Sequence, residues 1–196
     1  MPAQPTDSPL LIAHVIHRLQ VGGLENGLVN IINRLPTEQF QHVIICLTDS
    51  SEFADRIAHP VSIVELHKQE GHDLGLYWRL FKTYRKFKPD VVHTRNLATL
   101  EAQLPAWLAR IPFRIHGLHG WDTQDMYGEN TRYHKLYKLI GTLVHRFIPL
   151  SDNLENYLLE KIGVSPTKIT KICNGVDTER FCPAPDKATA RQIVLP

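Results

Sequence analysis

Short apolar runs rich in Val and Ile alternate with longer amphipathic stretches along most of the 196-residue chain, and this alternation is what most restricts its fold. Seven runs predict strands: Leu10–His17, His42–Leu47, Val61–Leu66, Asp90–His93, Phe113–Leu118, Arg146–Leu150 and Ile169–Ile172. Several are apolar on both parities, as strands buried between two helix layers must be. Between them, Leu24–Leu35, Asp73–Lys86, Leu97–Ala109, Thr131–Val144 and Asn153–Ile162 are read as helices. Pro89 and Pro112 punctuate helix-to-strand connections, because the residue before a proline is pushed out of the helical region. The expected fold is α/β, a Rossmann-like, doubly wound, mainly parallel sheet with helices on both faces. In such a sheet ligands bind beyond the carboxyl ends of the strands, so residues just after each strand are the candidates for function.

Composition narrows the classes of function. Lys and Arg number 22 against 20 acids, a formal charge of +2, which gives no general case for a nucleic-acid partner. Cys46, Cys173 and Cys182 are odd in number and form no C-x-x-C pair, which argues for reduced cytosolic thiols and against a disulfide scaffold or zinc ribbon. The run Leu10–Ile16 is broken by His14, is too short to span a membrane, and lacks the basic flank of a signal peptide. A cytoplasmic protein is expected.

After the first predicted strand, Gly22-Gly23 opens a helix. Paired glycines let backbone N–H groups approach a ligand, and a helix N-terminus adds about half a positive charge, which suits a phosphate or a charged sugar. A tight turn that simply needs glycine fits the same dipeptide. The segment is neither GxGxxG nor GxxxxGK[ST], so it lacks the signatures of dinucleotide oxidoreductases and P-loop NTPases. After the fourth strand, His93-Thr94-Arg95-Asn96 offers donors for sugar hydroxyls or phosphates, unless Asn96 only caps the next helix and Arg95 lies in solvent. In Arg114–Asp122, the three-residue spacing of His116 and His119 puts them on opposite faces of an extended strand, which makes a two-ligand zinc site improbable. His119 is read as a pocket donor, or else as a satisfied core histidine. Ser151 is either a helix cap or a ligand contact. Asn174-Gly175 carries a turn signal before the proline-bearing stretch 182–187.

In this order the segments resemble the N-terminal domain of GT-B glycosyltransferases of the retaining family 4 type. Gly22-Gly23-Leu24-Glu25 is similar to that family's glycine-rich first loop. Val92–Asn96 and His119-Gly120-Trp121-Asp122 are similar to its fourth and fifth strand-end motifs, and Asn174-Gly175-Val176-Asp177 with Phe181 to the segment leading into the second domain. The likeness covers residues 10–183 and points to bacterial sugar transferases associated with exosortase and exopolysaccharide loci. It implies an acceptor-side domain over 1–182, with 183–196 as linker or start of a C-terminal nucleotide-sugar-binding domain. It also implies transfer from a nucleotide sugar to a glycan or polyprenyl-linked acceptor with retention, with no cofactor and no obligatory metal. His119 would be the catalytic contact to the transferred sugar. Gly22, Gly23, Arg95, Asn96, Asp122 and Ser151 would bind donor phosphate or acceptor, and Asn174, Gly175 and Asp177 would form the interdomain hinge. The family's donor-binding Arg/Lys pair and Glu-rich segment have no counterpart before Pro196, so the chain alone is expected to show little or no transferase activity. A non-catalytic sugar- or phosphate-binding module and one half of a GT-B sugar epimerase are the alternatives.

Residues 73–88 combine aromatic side chains with Arg79, Lys82, Arg85, Lys86 and Lys88. Helical spacing puts Arg79, Lys82 and Lys86 on one face and Leu74, Trp78, Phe81 and Arg85 on another. Such a helix either packs on the core with a solvated cationic face or makes peripheral contact with an anionic membrane.

Overall fold

The expected parallel sheet forms, with six strands rather than seven. The computed structural model describes residues 8–122 and 125–175 together with Thr178, Pro183, Asp186 and Arg191. Strands β1 (Leu10–Ile16), β2 (Phe40–Cys46), β3 (Ser62–Glu65), β4 (Val91–Arg95), β5 (Phe113–Leu118) and β6 (Arg146–Pro149) pair in the order β3-β2-β1-β4-β5-β6, every pair parallel. The order reverses between β1 and β4, which is where such a sheet opens a crevice for ligands.

The seventh run, Ile169–Ile172, lies beside β6 without becoming a strand. Thr170 N–H donates to the Phe147 carbonyl at 2.9 Å and Ile172 N–H to the Pro149 carbonyl at 3.2 Å. Only the bridge Phe147–Ile169 forms, since Pro149 has no N–H to donate back across the ladder.

Helices α1 (Gly23–Arg34), α2 (Leu74–Phe87), α3 (Leu97–Leu100), α4 (Gln103–Leu108), α5 (Thr131–Ile140) and α6 (Asp152–Asn156) connect the strands. The single helix expected over 97–109 is split into α3 and α4, because Pro105 has no N–H for the Glu101 carbonyl four residues back, and Leu104 N–H takes that carbonyl instead at 3.1 Å. The expected helix 131–144 closes as a 3₁₀ turn over Gly141–Leu143, and α6 continues as a π-helix over Tyr157–Ile162 that ends on the left-handed Gly163.

One sheet face is roofed by α2 and α4 over Ala13, Val15, Val43, Ile45 and Val92, and by α5, α6 and the π-helix over Leu118 and Phe147. On the other face α1 packs Leu28, Val29 and Ile32 onto Ile16, Ile44 and Cys46. Over β4–β6 that second face opens into a cleft. In α2 the buried stripe is Leu76, Leu80, Thr83 and Tyr84, so the faces differ from those read off the spacing. Arg79 is drawn to the capping Asp73 at 2.5 Å, whereas Leu74, Trp78, Lys82 and Arg85 share the exposed side, with Lys82 over the Trp78 ring at 5.1 Å.

Candidate active-site cleft

The cleft occupies about 620 Å³ between α1 and the β4–β6 edge of the sheet. Its α1 wall is a stripe at helical spacing, Gly23, Asn26, Gly27, Asn30 and Arg34, and its other walls come from His93, Arg95, His119, Ile148 and the segment Ile172–Gly175. The small polar stripe on α1 was a signal in the sequence that strand-end reading passed over.

Arg95 organises the cleft floor. It is 2 % exposed, yet among the described residues no carboxylate forms an ion pair with it. Burial lowers its pKa to about 9, and only the charge of Glu25 opposes the shift. Its Nη2 donates to His14 Nδ1 at 3.1 Å and to His93 Nδ1 at 3.3 Å, and its Nη1 to the His93 carbonyl at 3.4 Å.

A guanidinium can only donate, so Nδ1 of both histidines carries a lone pair and their protons sit on Nε2. His14 Nε2 then donates to His42 Nδ1 at 3.0 Å, which fixes the proton of His42 on its own Nε2. Donation therefore runs one way, from Arg95 through His14 to His42. The register explains the grouping: His14 faces His93 across β1–β4, and residues two apart along a strand share a face. Burial first, and the Arg95 charge second, hold His14 and His93 well below the ordinary imidazole pKa, so both are neutral at physiological pH. Among the described residues, Nε2 of His93 and of His42 are buried without a hydrogen-bond partner, an arrangement that costs about 1–3 kcal/mol each.

His119 stands beside this group, its pKa lowered to about 4 by burial and then by Arg95. Its backbone is fixed by Asn96, whose Oδ1 accepts from His119 N–H at 2.7 Å while Asn96 N–H donates to the Gly117 carbonyl at 2.8 Å. Asn96 occupies the N-cap position of α3 but makes no side-chain cap bond, and its φ of 58° is strained for a residue with a Cβ. The side chain expected as a cap or ligand donor is thus committed to holding the loop of His119.

His116 lies on the opposite face, as the strand parity requires. It is fully buried against Tyr137 and Phe147, its Nδ1 bonded to Thr94 Oγ1 at 2.8 Å, and Gln103 Nε2 donates to that hydroxyl at 2.7 Å.

Of the residues singled out in the sequence, the structure brings Gly23, Arg95, His119, Asn174 and Gly175 together around the cleft. Gly22 is the N-cap of α1 in extended conformation, and a Cβ there would collide with the Glu25 carboxylate, which folds back over it. Ser151 caps α6, its Oγ accepting from Leu154 N–H at 3.4 Å. Asp122 lines a separate small cavity with Trp121, Tyr133 and Tyr157. Asp177 and Phe181 fall outside the described residues.

The model of Glycosyltransferase Family 4 matches residues 21–180. A UDP-Gal:alpha-D-GlcNAc-diphosphoundecaprenol alpha-1,3-galactosyltransferase of Escherichia coli is 28% identical over 204 residues, covering 97% of this chain and 51% of its own length. The chain thus spans about half the length of the curated relative it matches. A glycosyltransferase from Rickettsia africae superposes with a TM-score of 0.73 at 20% identity, over 95% of this chain and 48% of that one. A UDP-N-acetylglucosamine 2-epimerase from Rickettsia bellii superposes with a TM-score of 0.59 at 15% identity, over 85% of this chain and 45% of that one. At such identities the superpositions show a shared fold and do not separate transferase from epimerase. The family match takes in the α1 turn, the Arg95 floor and the loop of His119: the chain belongs to Glycosyltransferase Family 4.

Proposed function

We propose that the chain is the acceptor-side part of an enzyme that moves a sugar from a nucleotide donor to a lipid-linked glycan, with retention at the anomeric carbon. On this reading residues 1–182 form the domain and 183–196 lead into the part that binds the nucleotide. The observation that carries it is the buried Arg95 guanidinium, lacking a carboxylate partner among the described residues, in a cleft walled along the length of α1.

Such a site favours an anionic ligand. Arg95 and the N-terminus of α1 supply positive field for the charge that develops on a leaving diphosphate, the role a metal would otherwise fill, so we include neither cofactor nor obligatory metal. A phosphate approaching Gly22 and Gly23 displaces the Glu25 carboxylate that now rests there. His119, neutral because burial depresses its pKa, meets the transferred sugar by hydrogen bonding rather than by charge. Asn174 and Gly175, at the cleft rim, would begin the hinge with Asp177.

The name of the Escherichia coli relative specifies a UDP-sugar donor and a diphosphoundecaprenol-linked acceptor, which supports the same classes here, and we extend the proposal to a role in exopolysaccharide assembly. A lipid-linked acceptor brings the enzyme to the inner face of the cell membrane. Among the described residues no helix is long and apolar enough to cross a membrane, and α2 offers peripheral contact through Trp78, Leu74, Lys82 and Arg85.

The test is transfer from UDP-galactose and UDP-glucose to a polyprenyl-diphosphate-linked sugar by the natural gene product, with anomeric configuration read by NMR. Retention is expected, and an inverted product would overturn the assignment. The 196-residue chain alone should show no turnover, and activity from it would remove the division of labour. Cosedimentation with vesicles rich in anionic lipid should fall when Trp78 and Lys82 are both replaced by alanine, and unchanged binding would exclude α2 as the contact.

A further inference from the structure

A second imidazole faces the ligand space that His119 lines. Its register on β4 puts His93 opposite Ile115 of β5, and Arg95 pairs with Gly117, so His93, Arg95 and Gly117 share the cleft face. The Arg95 guanidinium holds His93 Nδ1 as an acceptor, which leaves the proton on Nε2. That Nε2 is buried and has no hydrogen-bond partner among the described residues.

The position of Gly117 says what lies in front of it. A Cβ at Gly117 would come within 3.0 Å of His93 Nε2 and 2.8 Å of His119 Nε2. The missing side chain leaves a cradle onto which both ring nitrogens converge.

We propose that His93 Nε2 and His119 Nε2 together hold one hydroxyl of the transferred sugar over the bare Cα of Gly117, so that His93 is a second sugar-binding residue of the cleft. A hydroxyl both accepts and donates one hydrogen bond, so it takes the proton of His93 and gives its own to the unconstrained ring nitrogen of His119. A phosphate oxygen, which only accepts, would instead require the proton of His119 on Nε2, so the tautomer of His119 in the complex separates the two ligands. The inference rests on the nucleotide-sugar reading above and adds to it the atom that recognises the sugar.

The experiment is imidazole nitrogen and backbone amide NMR on the natural gene product, titrated in parallel with UDP-galactose, UDP-glucose and UDP at millimolar concentration. Without ligand, His93 should be the Nε2-protonated neutral tautomer, and a proton on Nδ1 would overturn the proposal. A nucleotide sugar should move the His93 and His119 signals, while UDP alone leaves His93 in place. An equal shift with UDP overturns the hydroxyl assignment in favour of phosphate. Shifts at Gly23 and Asn26 with His93 silent overturn the role of His93 but keep the nucleotide-sugar reading, whereas silence along the whole cleft overturns both. Gly117→Ala, which fills the cradle, and His93→Phe should each weaken the sugar-dependent part of binding by about three- to tenfold, with UDP binding unchanged.

Discussion

The strands β4 and β5 carry two polar clusters on opposite faces, and the two clusters differ in almost every physical respect. On the roofed face, Gln103, Thr94, His116 and Tyr137 bond mainly to one another, under helices that exclude water, with Gln103 Oε1 left without a partner among the described residues. On the α1 face, Arg95, His14, His93 and His42 form a one-way chain that ends in unpartnered N–H groups, beside a cleft. Successive residues of one strand, Thr94 and Arg95, thus belong to a helix-covered cluster and a cluster beside the cleft respectively. What separates them is strand parity and whether a helix covers the face.

Acidity acts on both faces and has the largest expected effect. His116 and His119 titrate at about 3 and about 4 in the folded protein because burial disfavours their charged forms, against 6.5 as the ordinary value. The unfolded chain therefore takes up these protons first as the pH falls. The stability tied to them is present above pH 6.5 and is lost progressively as the pH drops toward the folded values, with His14 and His93 adding in the same direction. Unfolding midpoints measured from about pH 7.5 to about pH 4.5 should fall steadily by many degrees. A flat profile would mean that these imidazoles are not held neutral by the fold.

A smaller effect isolates the roofed cluster. Thr94→Val strips the shared hydroxyl from Gln103 and His116 and should cost about 1–3 kcal/mol of stability, a loss of several degrees in Tm, while transfer activity per folded molecule stays within about twofold. Lost activity with unchanged Tm would place Thr94 on the wrong side of the comparison.

The sequence disclosed these regions unevenly. Parallel order followed from strands such as His42–Leu47, whose run from Val43 is apolar on both parities, and the opposite placement of His116 and His119 followed from a spacing of three. Pro105 and Pro149 also carried readable information, in a split helix and an unformed seventh strand, but only once the missing N–H is matched to the carbonyl or ladder partner it leaves unserved. The chain from Arg95 to His14 joins residues 81 apart, and its direction depends on tautomers that no local pattern encodes. Asn96 was read as a cap or ligand donor because its sequence position fits both. Its bond to His119 N–H depends on where β5 ends in space. The α1 stripe was visible as helical spacing, yet its meaning depends on which sheet edge it overhangs.

The central claim is that the α1-side cluster is retained for a ligand at a cost in stability, whereas the roofed cluster is retained for stability itself. Thermal unfolding of Arg95→Met beside the wild-type chain tests this most directly. Removing a buried guanidinium whose charge burial already disfavours should leave Tm unchanged or raise it, the lost bonds to His14 and His93 being offset by relief of desolvation. A drop of several degrees would contradict the account and make Arg95 a structural strut of the sheet.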